Sequence, residues 1–82
     1  MDQDAALPLP SHIHYELVLQ LLERKTLFAA QPHPHQRELV HDLTMTLRKA
    51  LAQQKQLEES CRRANIPVDY HWGLNGEPEV SR

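Results

Sequence analysis

The sequence contains little of what builds disulfide-rich, sheet-rich or membrane-spanning proteins. Its one cysteine, Cys61, leaves no disulfide within the chain, and two glycines with few β-branched residues argue against a sheet protein. The longest strongly apolar stretch, Leu17 to Leu22, is far shorter than the ~20 residues that cross a bilayer. A lone cysteine and an acidic N-terminus without a secretory signal predict a cytoplasmic protein.

Charge and motif content narrow the function classes further. The formal net charge is −2, so there is no global attraction to nucleic acid or to an acidic membrane. The sequence has no glycine-rich phosphate loop, no nucleophile elbow and no clear Cys-His site, and a helical hairpin offers little room for a substrate pocket. We therefore predict a non-enzymatic protein without a cofactor.

The six histidines do not have the spacing of zinc ligands. His12 and His14 are two residues apart on a helix, and His33 and His35 flank a proline in a loop, with no CxxC or HExxH pattern. The sequence therefore predicts exposed histidines and no metal site, with a histidine-dependent metal switch as an alternative.

The first predicted helix runs from Ser11, a good N-cap, to about Ala30. At 100° per residue its apolar side chains cover an arc of about 240°, whereas an ordinary surface helix needs little more than ~100°. From this arc we predict five partner-binding residues: Leu17, Val18, Leu21, Leu22 and Phe28. A single packing partner cannot cover such an arc.

The second predicted helix runs from about His35 to Ala64, where Asn65 can adopt a left-handed cap and Pro67 blocks continuation. Its core positions repeat every 3.5 residues, the spacing that keeps one seam facing a partner helix. The predicted dimer seam consists of Val40, Leu43, Leu47, Ala50, Gln54, Leu57 and Cys61. Two interpretations of Gln54 stay open: it specifies register or partner, or it lies at an exposed end beyond the first helix.

A basic line follows one heptad position of the second helix. Arg48, Lys55 and Arg62 are seven residues apart, with His41 in the same register. Such a line is a candidate anion contact that follows phosphates or an acidic partner. The alternative, which we favour, is the solvated outer face of a coiled coil.

The C-terminal segment is predicted to be an extended or partly disordered arm. Val68, Tyr70, Trp72 and Leu74 alternate with polar or small residues, a strand-like period of two. Two interpretations of Tyr70 and Trp72 remain. In the first interpretation these side chains cap the helix ends, and we favour it because the far half of the second helix needs covering. In the second, they contact a partner protein.

These patterns together predict an all-α fold. A flexible leader at residues 1–10, in which Pro8 and Pro10 forbid a continuous helix, precedes an antiparallel two-helix hairpin at residues 11–65 and the arm at residues 66–82. Two wide apolar faces predict a homodimer that forms a four-helix bundle.

The predicted function is that of a small protein-interaction module: a regulator, adaptor or chaperone that presents a helical apolar face to a protein, either itself or a larger partner. Leu57, Tyr70 and Trp72 complete the predicted partner-binding set. The alternative is a dimeric nucleic-acid-binding regulator that uses the basic line, and the net negative charge argues against it.

Overall fold

A computed structural model of the protein describes residues 6–71 and residue 73. The elements in chain order are strand β1 (Leu7–Leu9), helix α1 (His12–Leu21), a π turn (Leu22–Thr26), the short helix α2 (Leu27–Ala29), helix α3 (Pro34–Arg63) and strand β2 (Val68–Tyr70). From α1 to α2 the backbone is helical without a break, so these pieces form one first helical segment that lies beside α3.

Helix α1 begins with a capping box at Ser11. The Ser11 hydroxyl accepts a hydrogen bond from the Ile13 amide at 3.2 Å, and Nδ1 of His14 accepts one from the Ser11 amide at 3.3 Å. Both bonds satisfy amides that the first turn leaves without a helical partner. His14 therefore takes the role that Glu or Gln has in the usual box.

Helix α3 spans 30 residues, within one residue of the predicted span at each end. Pro34 occupies its first turn, where a proline costs no helical hydrogen bond. At its end Asn65 has φ 59°, and the Ile66 amide donates to the Cys61 carbonyl at 2.9 Å. The predicted stop at Asn65 is confirmed, because this left-handed residue turns the chain out of the helix.

The two strands pair in parallel and join the two ends of the described chain. Leu7, Pro8 and Leu9 lie opposite Val68, Asp69 and Tyr70, with hydrogen bonds of 2.8 Å from the Leu7 amide to the Pro67 carbonyl and from the His71 amide to the Leu9 carbonyl. These bonds use Leu7 and Leu9 of β1, so Pro8 faces the outer edge, where its missing N–H costs no ladder hydrogen bond.

The prediction of an all-α antiparallel two-helix hairpin that dimerises into a four-helix bundle is wrong. The chain contains a parallel two-stranded sheet, and its long helix lies beside a shorter first segment with a π turn. Part of the predicted leader and part of the predicted arm form that sheet. Prolines exclude a helix from the leader but are compatible with an edge strand, and a pairing partner about sixty residues away is invisible to local patterns.

Candidate interaction surface

A stripe of α3 residues faces the first helical segment. The stripe advances by alternate steps of four and three residues, so it follows the predicted 3.5-residue repeat. Its buried or half-buried members are Val40, Thr44, Leu47, Leu51, Gln54, Glu58 and Cys61. On the first segment, Leu19 is buried to 7% exposure between the two helical segments.

The predicted seam residues divide into two groups. Val40, Leu47, Gln54 and Cys61 belong to the inward stripe. Leu43 and Leu57 are 54% and 42% exposed, and Ala50, at the same heptad position, is half-buried. The inward places next to the first group are taken by Leu51, Thr44 and Glu58, and sequence reasoning missed the last two.

Gln54 links three parts of the chain and is only 5% exposed. Its side-chain amide donates to the Pro10 carbonyl and, at 2.8 Å, to Oε2 of Glu58, whose Oε1 lies 3.1 Å from Nδ1 of His12. Of the two interpretations of Gln54, the exposed end is therefore excluded, because Gln54 is a buried polar residue with its donors satisfied within the chain.

Burial alone would raise the pKa of Glu58, but the hydrogen bonds from Gln54 and His12 outweigh it. The pKa of this carboxyl consequently lies below its ordinary value. The direction matches the general rule that hydrogen bonds to a carboxylate favour its charged form. Glu58 is thus an ionised acceptor that helps to hold the start of α1 and the chain before it against the last third of α3.

Ion pairs line one broad side of the helical layer. Glu16 lies 3.6 Å from Nζ of Lys55, and Glu23, in the π turn, pairs with Arg48. Both cations are more than half exposed, so each pair adds little stability. We call the side of the helical layer that carries these pairs the charged face; it consists of Glu16, Glu23, Arg48 and Lys55.

The opposite broad side is apolar. At 100° per residue Leu43, Ala50 and Leu57 project about 140° away from Arg48 and Lys55 around the axis of α3, with the inward stripe between the two rows. On α1, Val18 projects about 160° away from Glu16, with buried Leu19 between them. This apolar face consists of Val18, Leu22, Leu43, Ala50 and Leu57.

A second apolar row lies on the back of the first helical segment, away from α3. It consists of Ile13, Leu17, Leu21 and Phe28, and we call it the outer row. All four side chains are at least half exposed, and Phe28 reaches 71%. Together the apolar face and the outer row contain the predicted partner-binding residues of helix one and Leu57. Leu22 is half-buried, and the other five are exposed.

Residues 4–73 of the chain match a family described as a family of unknown function (DUF5340). The chain belongs to the DUF5340 family. This DUF5340 chain is also 51% identical, over 69 residues that make up 84% of each protein, to an "Uncharacterized 9.3 kDa protein in soluble hydrogenase 5'region" from Anabaena cylindrica. No solved structure matches the chain.

The basic line of this DUF5340 chain is compensated by carboxylates. Arg48 pairs with Glu23, Lys55 with Glu16, and Arg62 with Glu59. His41 is exposed near the start of α3. A surface whose cations already have carboxylate partners releases few counterions when it meets a phosphate backbone, so the geometry gives the anion contact little support.

The remaining predicted site residue of the arm, Tyr70, is 51% exposed in β2 of this DUF5340 chain. Its strand pairs with β1, and with Lys55 and Arg62 it lines a groove of about 390 Å³ beside the end of α3. Trp72 lies outside the described residues. Over the part of the chain that the structure describes, no three His, Cys, Asp or Glu side chains are grouped as a metal site would require.

Among residues 6–71 and 73, no helix has both the length and the apolar character that crossing a membrane requires.

Thr44 and Glu58, the missed inward residues, are polar, so a prediction from hydrophobicity alone selected their apolar neighbours instead. One signal that was available is their i,i+4 partner: Thr44 donates to the Val40 carbonyl at 2.8 Å, and Glu58 accepts from Gln54.

Proposed function

We propose that this protein is a small, non-enzymatic protein-interaction module that acts in the cytoplasm as a regulator, adaptor or chaperone. It offers exposed apolar helical surface to a partner protein. The observation that carries the proposal is the exposure of the large apolar side chains on the apolar face and the outer row. The single cysteine, Cys61, is free and buried, as suits a reducing compartment.

The energetics support a binding role for these surfaces. Full burial of one Leu, Val or Phe side chain is worth roughly 1.5–3 kcal/mol, so a handful of such residues supplies the core of a specific interface. Scattered single exposed apolar residues are normal, but contiguous rows on both helical segments are typical of interaction sites. In the isolated chain the exposed part of this surface stays in contact with water.

The charged side chains support the same conclusion. Glu23 pairs with Arg48 and Glu16 with Lys55 on the charged face, and Glu58 accepts a hydrogen bond from Gln54 in the inward stripe. None of these charged groups lies on the apolar face. An interface with an apolar centre and a charged margin has the composition expected of protein–protein contacts.

The test is capture of partners from the native cell with the full chain as bait, identification by mass spectrometry, and binding of each purified candidate. We expect a purified partner to bind the wild type and to lose most affinity for Leu43→Lys/Leu57→Lys or for Leu17→Lys/Leu21→Lys. Met45→Lys is the matched control, because Met45 is 53% exposed and lies on neither surface. Purified candidates that bind all three variants equally well would overturn the proposal.

A further inference from the structure

We infer that the apolar face is covered by a second copy of this chain, which packs α3 against α3 about a two-fold axis at Ala50. The inference rests on the proposed function, since it names the partner of one of the two surfaces described there. It concerns Leu43, Ala50 and Leu57 on α3, with Val18 and Leu22 beside them.

The shape of the molecule leaves this face broad and bare. The chain measures 55 × 32 × 15 Å, and its radius of gyration is 16.4 Å, against roughly 12 Å for a compact domain of 82 residues. Each helical segment covers one stripe of the other, and the described sheet lies beside the last third of α3, where Val68 and Tyr70 line a groove with Lys55 and Arg62. Val18, Leu43 and Leu57 therefore stay exposed on a flat surface.

The exposed area agrees with what a stable dimer buries. The accessible surface is 6332 Å², whereas a compact monomer of 9.5 kDa exposes roughly 5,000 Å². The excess of roughly 1,300 Å² is spread over the whole elongated chain, the outer row included, and each subunit of an obligate homodimer buries about 1,000–2,500 Å². A second copy of the same face supplies a matching surface of equal size.

The row on α3 is complementary to itself. A two-fold axis at Ala50 places Leu43 of one copy opposite Leu57 of the other, and Ala50 opposite its own symmetry mate, because both leucines are seven residues from the alanine. A small side chain at the axis lets two helices approach closely, and leucines at heptad spacing interdigitate on either side. The ion pairs lie on the charged face, so no like charges from these pairs meet at the axis.

The decisive experiment uses two alanines of α3 that project from different sides of the helix. Ala50→Cys and Ala52→Cys each add one exposed or half-exposed thiol to a chain whose native Cys61 is 3% exposed. After mild oxidation we expect a disulfide-linked dimer from Ala50→Cys and little from Ala52→Cys. Equal yields from both variants would overturn the two-fold contact.

Sedimentation of the wild-type chain across micromolar concentrations provides the second measurement. We expect a dimer whose dissociation constant rises roughly a hundredfold or more in Leu43→Lys/Leu57→Lys, with unchanged helicity, and stays near the wild-type value in Met45→Lys. A wild-type chain that remains monomeric at high micromolar concentration would overturn the inference. In that event the proposed function is still decided separately, by whether the same Lys variants lose a purified partner of different sequence.

Discussion

The side chain of Gln54 donates a hydrogen bond to the backbone carbonyl of Pro10, 44 residues earlier in the chain. This bond holds the chain between β1 and α1 against the start of the last third of α3. It also gives the Pro10 carbonyl a partner in a partly buried hydrogen bond. A single glutamine thereby connects the strand pair to the helical layer.

Replacement of Gln54 by leucine is expected to destabilise the protein by about 1–3 kcal/mol. The substitution leaves the Pro10 carbonyl and one Glu58 oxygen, both in partly buried hydrogen bonds, without their donor, and the cost of these unsatisfied acceptors exceeds the gain from the added apolar surface. Urea denaturation followed by circular dichroism measures the change. Gln56→Leu, at an exposed position of the same helix, is the control and should change stability by less than about 0.5 kcal/mol.

The lowered pKa of Glu58 predicts a loss of stability in acid. A carboxyl whose pKa is lower in the folded than in the unfolded state stabilises the fold where it is ionised, and that contribution disappears as the pH falls through the folded value. We expect the free energy of unfolding to decrease as the pH falls below about 4.5, the ordinary value for this carboxyl. The decrease should be smaller in Glu58→Gln, and identical pH profiles for the two proteins would contradict the assignment.

The capping box predicts that Ser11→Ala lowers stability by about 0.5–2 kcal/mol, since the Ile13 amide loses its acceptor. Thermal melting should show the loss, and Ser11→Asp should retain most of the wild-type stability because Asp is an equally good cap. Ser60→Ala, an exposed serine within α3, serves as the control. A loss in Ser60→Ala as large as in Ser11→Ala would argue against a specific capping effect.

The orientation of the first helical segment is tested by two leucines that are two residues apart. Leu19→Ala should cost about 2–5 kcal/mol, because Leu19 is buried between the helical segments and its removal leaves a cavity. Leu17→Ala should cost far less in the isolated chain, because Leu17 is 60% exposed in the outer row. Equal losses in denaturation experiments at low protein concentration would contradict the orientation of α1.

Much of the candidate surface could be predicted from the sequence, because the first helix carries more apolar side chains than one packing partner can cover. Leu17, Leu21, Phe28 and Leu57 were predicted to contact a partner, and the structure places all four on exposed surface. The division of the α3 seam did not follow from sequence. Thr44 and Glu58 are less hydrophobic than Leu43 and Leu57, yet they lie inward because their hydrogen bonds to Val40 and from Gln54 satisfy them there.

The sequence by itself determined the span and the end of α3 and the start of α1, because caps, prolines and the left-handed Asn65 act over only a few residues. Only the tertiary structure decided that Leu7–Leu9 pairs with Val68–Tyr70 and that Leu43 and Leu57 face outward. Strand pairing and the choice between two adjacent heptad rows depend on contacts between distant segments. The free energy of those contacts is a property of the packed chain, which no local pattern contains.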